Sequence, residues 1–165
     1  MHDRVSLRLP GFDYSQPGVY YVCLGAREGR PLFGVRRGGR VDPSDLGGFL
    51  LGQWEELPIR HPFVRLDVFG LQPTHLHGLL VWRVGRGRGE AEAFGRPTRD
   101  SLPTVMRLFK AGATRDWRAQ GGVPRTIWQS RYLERVVRNR QELADLRTFI
   151  RCNTLFHRLC DRDSW

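Results

Sequence analysis

The sequence predicts an α+β fold, with an antiparallel sheet of four to five strands and helices packed mainly on one face. Short β-branched and aromatic segments alternate with amphipathic segments of helical spacing. Counting one short hairpin as a unit, the order β-β-α-β-β-α-β-α is typical of such sandwiches. The 165 residues are expected to form a single domain, residues 1–165, with its own core.

The first strand is predicted at residues 19–24, which are β-branched and aromatic and follow Pro17-Gly18. A short hairpin is predicted next, from residues 32–35 and 40–41. Its tip, Arg36-Arg37-Gly38-Gly39, is basic and rich in glycine, as a tight turn requires.

A first helix is predicted after this hairpin. Asp42 is expected to cap it, Pro43 suits the first helical position, and apolar residues recur at helical spacing up to Pro58. Two further strands, at 64–70 and 75–82, are predicted across a turn at Gln72-Pro73-Thr74.

A glycine–arginine segment at about 83–99 is predicted to be a flexible loop. A second helix should run from about Leu102 to Ala119, opened by Ser101 or Asp100. A last strand is predicted at 127–137.

Asn139 and Glu142 then have the spacing of a capping box, which starts a third helix that continues to about Cys152.

The charge indicates a polyanionic partner. The chain has 27 Lys+Arg against 17 Asp+Glu, a net charge of +10, and Lys110 is its only lysine. Arginine binds phosphate with two hydrogen bonds and stacks on bases, and here the excess is spread over both halves of the chain. An arginine-rich composition with ordinary solvated faces is the alternative, but nucleic acid is the favoured interpretation.

Several protein classes are excluded. No apolar run approaches the ~20 residues of a membrane span, and the first residues do not have the pattern of a signal peptide. Cys23, Cys152 and Cys160 are odd in number and far apart, which argues against a disulfide scaffold or a cysteine zinc site. We therefore expect a cytoplasmic protein with reduced cysteines.

The clearest chemical motif is His75-Leu76-His77. Residues two apart on a strand share a face, so both imidazoles project together and could hold one divalent ion. Phe149 and Asn153 share a face of the last helix, and the Asn153 amide oxygen could complete such a site. Solvated histidines, a C-capping Asn153 and a core Phe149 are the alternatives, and they stay open on spacing alone.

A family resemblance emerges from several motifs taken in order. They are Arg8-Leu9-Pro10-Gly11-Phe12-Asp13-Tyr14-Ser15-Gln16-Pro17-Gly18, Pro73-Thr74-His75-Leu76-His77-Gly78, Trp128-Gln129 with Tyr132 and Glu134, and Arg138-Asn139. Over about residues 5–158 the chain resembles the single-tyrosine HUH transposases, in particular the REP-associated tyrosine transposase branch.

The resemblance implies a ferredoxin- or RRM-like HUH fold that binds single-stranded or hairpin DNA in the bacterial cytoplasm, at the nucleoid. It also implies Mg²⁺ or Mn²⁺ held by His75, His77 and Asn153, which would activate a phosphodiester. In the family, a tyrosine four residues before the third ligand attacks the phosphorus and forms a 5′-phosphotyrosine. Either a monomer or a homodimer is compatible with it.

Here that tyrosine position is Phe149, so the attacking hydroxyl is missing. Arg135 and Thr154 also depart from the family pattern, which has histidine and proline at these positions. Three hypotheses follow: a DNA-binding protein with impaired cleavage, an active enzyme that uses Tyr132 or another nucleophile, and a non-enzymatic module for DNA or RNA.

Under the first hypothesis, arginines and one lysine would contact phosphates, and Trp128 or Tyr132 would stack on an unpaired base. The predicted DNA-binding residues are Arg36, Arg37, Arg86, Arg88, Arg107, Lys110, Arg115 and Trp128.

Overall fold

The structure is a computed structural model that describes residues 9, 11–83, 98–153 and 157–159, with backbone alone for 153 and 157–159. Its strands are β1 (Gly18–Gly25), β2 (Gly34–Arg37), β3 (Arg40–Pro43), β4 (Val64–Gln72), β5 (His75–Trp82), β6 (Leu133–Val137) and β7 (His157–Leu159). Its helices are α1 (Asp45–Glu55), α2 (Leu57–Arg60), α3 (Leu102–Ala119) and α4 (Arg140–Asn153), with a 3₁₀ turn at Arg27–Gly29.

The main sheet has five strands in the order β6-β1-β5-β4-β7, and all neighbours are antiparallel. β2 and β3 form a separate two-stranded sheet. The predicted α+β fold with an antiparallel sheet is therefore confirmed. None of the described helices has both the length and the apolar composition needed to cross a membrane.

Apolar side chains cover both faces of the sheet. On one face, Tyr20 of β1 and Leu80 of β5 pack in a large core with Trp54 of α1 and Phe109 of α3. On the other face a smaller core joins sheet residues to Leu143 and Ile150 of α4. The helices thus lie mainly on one face, as predicted, and α4 is the exception.

Helices α1 and α3 each begin directly after a residue whose side chain caps the helix N-terminus. The Ser44 hydroxyl accepts a hydrogen bond from the Gly47 amide (3.0 Å), so α1 begins at Asp45. The prediction that Asp42 caps this helix and Pro43 begins it is wrong, because both residues belong to β3. Ser101 caps α3, as one of the two predicted candidates.

The capping prediction for α4 is also confirmed. The Asn139 side chain accepts a hydrogen bond from the Glu142 amide (2.8 Å), and the Glu142 carboxylate accepts one from the Arg138 amide (2.8 Å).

The predicted last strand is shorter than expected. β6 contains only Leu133–Val137, and Trp128 makes an isolated bridge to Ala26. The residues just before β6 are held against α3 instead of extending the strand. The Lys110 ammonium of α3 donates to the carbonyls of Gln129 (2.6 Å) and Ser130 (3.2 Å). A further strand that the sequence pattern does not predict, β7, pairs with β4.

Candidate functional site

The two histidines of β5 lie on the same sheet face as α4. Their ring centroids are 5.1 Å apart and the rings are nearly perpendicular, at 86°. His77 is fully buried, whereas His75 is half-buried at the end of the strand. The alternation of β5 therefore brings the predicted pair together.

Local hydroxyl groups fix both imidazole rings. The Tyr21 hydroxyl lies 3.4 Å from Nδ1 of His77, and the Thr74 hydroxyl lies 3.0 Å from Nδ1 of His75. If Nδ1 carries the proton in each ring, the lone pair that can bind a cation is on Nε2.

Burial keeps both histidines neutral. It lowers the pKa of His75, and together with a smaller effect of the neighbouring His75 it lowers the pKa of His77 to about 4. Neutral imidazole is the form that binds metal ions, so both rings have the right protonation state near pH 7.

Helix α4 covers this pair. The Phe149 ring packs edge-on against His77, with ring centroids 5.9 Å apart, and 47% of Phe149 is exposed. Asn153, one turn later, ends α4, and its side chain lies outside the described atoms. Phe149 thus lies beside the histidines and is partly exposed. Its spacing in the sequence was also compatible with a fully buried core residue.

Two ion pairs hold α4 in this place. A register shift in β4 between Leu66 and Phe69 marks a bulge, and Asp67 lies within it. The Arg147 guanidinium donates from Nε (2.9 Å) and from a terminal nitrogen (2.6 Å) to one Asp67 oxygen. At the start of α4, Nε of Arg135 lies 2.6 Å from a Glu142 oxygen.

A groove of about 790 Å³ runs from this site along the edge of the sheet, between β6 and α4. Its lining is mixed in charge and includes Arg135, Arg138, Glu142 and Asp145, with Phe149 at the border. The exposed side of the Phe149 ring is therefore accessible from solvent.

The described side chains supply only part of the ligand set that a divalent ion requires. Within the residues that the structure describes, no three His, Cys, Asp or Glu side chains lie close enough to form a metal cluster. Two neutral imidazoles can bind an ion when carboxamide, phosphate or water oxygens complete its coordination. His75 and His77 fit that role, and Asn153 is the carboxamide that the family resemblance supplies.

Two glutamines beside His75 were not predicted as site residues. Across the sheet, His75 pairs with Gln72 on β4 and with Gly25 on β1. A Cβ added at Gly25 would lie 2.8 Å from Oε1 of Gln129, so the Gln129 carboxamide covers that glycine. Residues directly opposite share a sheet face, which places both carboxamides next to His75. The register of β4 on β5, which the sequence does not give, identifies Gln72, and the path of the segment before β6 brings Gln129 to Gly25.

The predicted DNA-binding residues are spread over the molecule. Arg36 and Arg37 lie on β2, and Arg36 reaches Gln72. Arg107, Lys110 and Arg115 belong to α3, on the sheet face opposite the histidines. Arg86 and Arg88, in the predicted flexible loop, lie outside the described residues.

The two aromatic candidates belong to the core on the α3 side. Trp128 is only 8% exposed, packs against Phe33 and Phe109, and donates from Nε1 to the Lys110 carbonyl (3.2 Å). Its ring therefore offers no open face for a base in this structure. Tyr132 directly precedes β6 and packs against the same core, away from His77.

Comparisons with known proteins agree with this fold. No model of a known protein family matches the chain. An uncharacterized protein of Haemophilus influenzae is 27% identical over 163 residues, which cover 94% of this chain and 90% of that protein.

Two solved structures share the fold. One is a REP-associated tyrosine transposase bound to a REP hairpin, with a TM-score of 0.59 and 16% identity over 88% of this chain and 70% of that one. The other, from Deinococcus radiodurans, is provisionally assigned as a transposase. It has a TM-score of 0.50 and 12% identity over 89% of this chain and 98% of that one.

Proposed function

We propose that this chain is a binding protein for single-stranded or hairpin DNA, built on the scaffold of a tyrosine HUH transposase, in which strand cleavage is impaired. The observation that carries the proposal is the Phe149 ring, whose centroid lies 5.9 Å from that of the His77 ring. The resemblance assigns position 149 to the family's tyrosine. The ring and its packing are kept, but the attacking oxygen is absent.

Three observations support DNA as the partner. The net charge is +10, and nearly all of the cationic side chains are arginine. The motifs around His75, Trp128 and Arg138 occur in the order of that family. A structural neighbour over 88% of this chain is bound to a REP hairpin. The protein would act at the nucleoid, as a monomer or a homodimer.

In this proposal His75, His77 and Asn153 would hold Mg²⁺ or Mn²⁺. A bound ion would polarise a phosphodiester by Lewis-acid action. The hydroxyls of Tyr21 and Thr74 orient the imidazoles, and the ion pair between Asp67 and Arg147 holds α4 over them. Phe149 excludes water from His77 but has no proton to give up and no lone pair to attack with.

An active enzyme that uses Tyr132 gains no support. Tyr132 belongs to the core on the α3 side of the sheet, whereas His77 lies on the α4 side. Nucleophilic attack requires the oxygen to be about 3 Å from the phosphorus, so a residue behind the sheet cannot replace one on α4.

The test restores the hydroxyl. The substrate is a labelled DNA hairpin with thymidine tails of about ten nucleotides, a length within the range that single-strand-binding folds cover. It is incubated with Mn²⁺ and run on a denaturing gel. Wild type should form no covalent adduct, and Phe149→Tyr should form one. In the variant, the tyrosine hydroxyl gives up its proton as its oxygen bonds to phosphorus, the bond from phosphorus to the 3′-oxygen breaks, and the leaving 3′-oxygen takes up a proton.

Phe149→Tyr combined with His75→Ala is the matched control and should form no adduct. A wild-type adduct would show that another residue is the nucleophile. If wild type binds the hairpin but EDTA and His75→Ala leave binding unchanged and Phe149→Tyr stays inert, the chain is instead a metal-independent binding module. Repeating the assay with the RNA version of the hairpin separates the two nucleic acids.

A further inference from the structure

We propose that Arg36, held in place by Gln72, binds the phosphodiester that lies against His75 and His77. This inference rests on the proposed function, because it names the group that would recognise the DNA backbone at that site. It makes Arg36 a phosphate-binding residue and Gln72 its positioning residue.

The contact that carries the inference joins the separate β2–β3 sheet to the main sheet. A terminal nitrogen of Arg36 donates to Oε1 of Gln72 at 2.7 Å. Gln72 is only 6% exposed and is the direct partner of His75 in the pairing of β4 with β5. An exposed arginine of the hairpin is therefore fixed next to the half-buried histidine.

Gln72 makes this contact at a cost. Arg has donors only, so the amide must turn its oxygen towards Arg36. Its buried Nε2 then has no hydrogen-bond partner among the described residues. A buried unsatisfied donor destabilises the folded chain, and an apolar residue at position 72 would avoid that cost. What glutamine contributes here is the oxygen that orients Arg36.

The contact between Arg36 and Gln72 does not pair the guanidinium with an anion. Gln72 is a neutral amide, whereas Arg37 on the same strand lies 3.8 Å from the Asp42 carboxylate. A guanidinium has five N–H donors, and one of them engages Gln72, so the others can form the paired hydrogen bonds that phosphate accepts.

A guanidinium at this place would stabilise a bound phosphodiester. A phosphodiester that loses part of its hydration beside the buried His77 gains charge-assisted hydrogen bonds from such a group. Within the described structure, Arg36 is the arginine that a hydrogen bond ties to the strand partner of His75.

The experiment measures the affinity for the thymidine-tailed hairpin by fluorescence anisotropy in Mn²⁺, between about 50 and 200 mM KCl. Arg36→Ala should weaken binding about tenfold, the size of one charge-assisted hydrogen bond. It should also reduce the slope of log Kd against log salt by about 0.7, the value for one single-strand phosphate.

Gln72→Leu should weaken binding in the wild-type background but have no further effect when Arg36 is already alanine. Arg40→Ala, on β3 of the same hairpin, is the matched control for lost charge. Thermal unfolding of each variant shows whether it is folded. A series of tails, each with an uncharged methylphosphonate at one linkage, should identify the phosphate that Arg36 binds. At that linkage, Arg36→Ala should cause no further loss of affinity.

The two proposals fail in different ways. If wild type binds the hairpin and Arg36→Ala behaves like Arg40→Ala in affinity and salt slope, the role of Arg36 is wrong while the DNA-binding function stands. The same conclusion follows if Gln72→Leu weakens binding equally with and without Arg36. If wild type does not bind the hairpin, the proposed function itself is wrong.

Discussion

His77 combines full burial with a titratable ring, and this sets its chemistry. In the folded chain a proton on His77 would be far from water, next to another imidazole and to the Phe149 ring. Desolvation disfavours the charged form, so the ring remains neutral well below the pH at which an exposed histidine is protonated. The same burial makes the protein sensitive to acid.

This predicts a pH effect on stability in protein freed of divalent ions by EDTA. The pKa of His77 falls from 6.5 to about 4 on folding, so between these values the unfolded chain binds a proton that the folded chain does not. The free energy of unfolding should therefore decrease as the pH falls through this interval, by about 3 kcal/mol in total. Urea unfolding at several pH values measures it.

Burial also lowers the pKa of His75 and of His61, so these groups contribute a pH effect of the same sign. The comparison is therefore with His77→Gln, which should have a much shallower decrease over the same pH range. Parallel curves for the two proteins would mean that His77 is not held neutral by the fold.

At the scale of elements, the first turn of α1 packs closely against the backbone just before β2. Gly47 lies in its first turn, and a Cβ there would overlap the carbonyl oxygen of Phe33 and lie 2.8 Å from a Leu71 methyl. Gly48, the next residue, is exposed, and a Cβ there would have no neighbour within 4 Å. Only the first of the two glycines is required by packing.

Alanine substitutions at these neighbours should therefore have opposite effects. Gly48→Ala should stabilise the protein by up to about 1 kcal/mol, because alanine is the better helix former. Gly47→Ala should destabilise it by about 1–3 kcal/mol, because the added methyl forces backbone to move. Urea unfolding of both variants tests this, and equal effects would show that α1 does not approach Phe33 so closely.

The order of elements could be predicted from sequence because most of the signals are local. Ser101 and Asn139 cap their helices as the spacing indicates, and the His75-Leu76-His77 strand follows from alternation. The segment at 127–132 was predicted wrongly, because its path depends on Lys110, which is distant in sequence. For the same reason Gln72 and Gln129 were missed, since strand pairing brings the first and the path of the segment before β6 brings the second to this end of the sheet.

At the scale of the whole molecule, the sheet separates two sets of the arginines that were predicted to bind DNA. Arg36 approaches the end of the sheet next to His75, whereas Arg107 and Arg115 lie on α3, beneath the opposite face. A helix packs about 10 Å from its neighbours, so these arginines are more than one Debye length from a phosphate bound at the histidines. At physiological salt their charges are largely screened from it.

A short single strand should therefore distinguish the two groups. Exchanging both Arg107 and Arg115 for glutamine should change the Kd for a thymidine oligonucleotide of about ten nucleotides less than threefold and leave its salt slope unchanged, because neither residue reaches the strand. Lys110 is kept, since its ammonium holds the loop at Gln129. If α3 binds the strand directly, the slope should instead fall by about 1.4, which is 0.7 for each of two phosphates. The tailed hairpin serves as the second substrate. A loss confined to it would assign Arg107 and Arg115 to the duplex stem, and would place the single strand and the stem on opposite sides of the sheet.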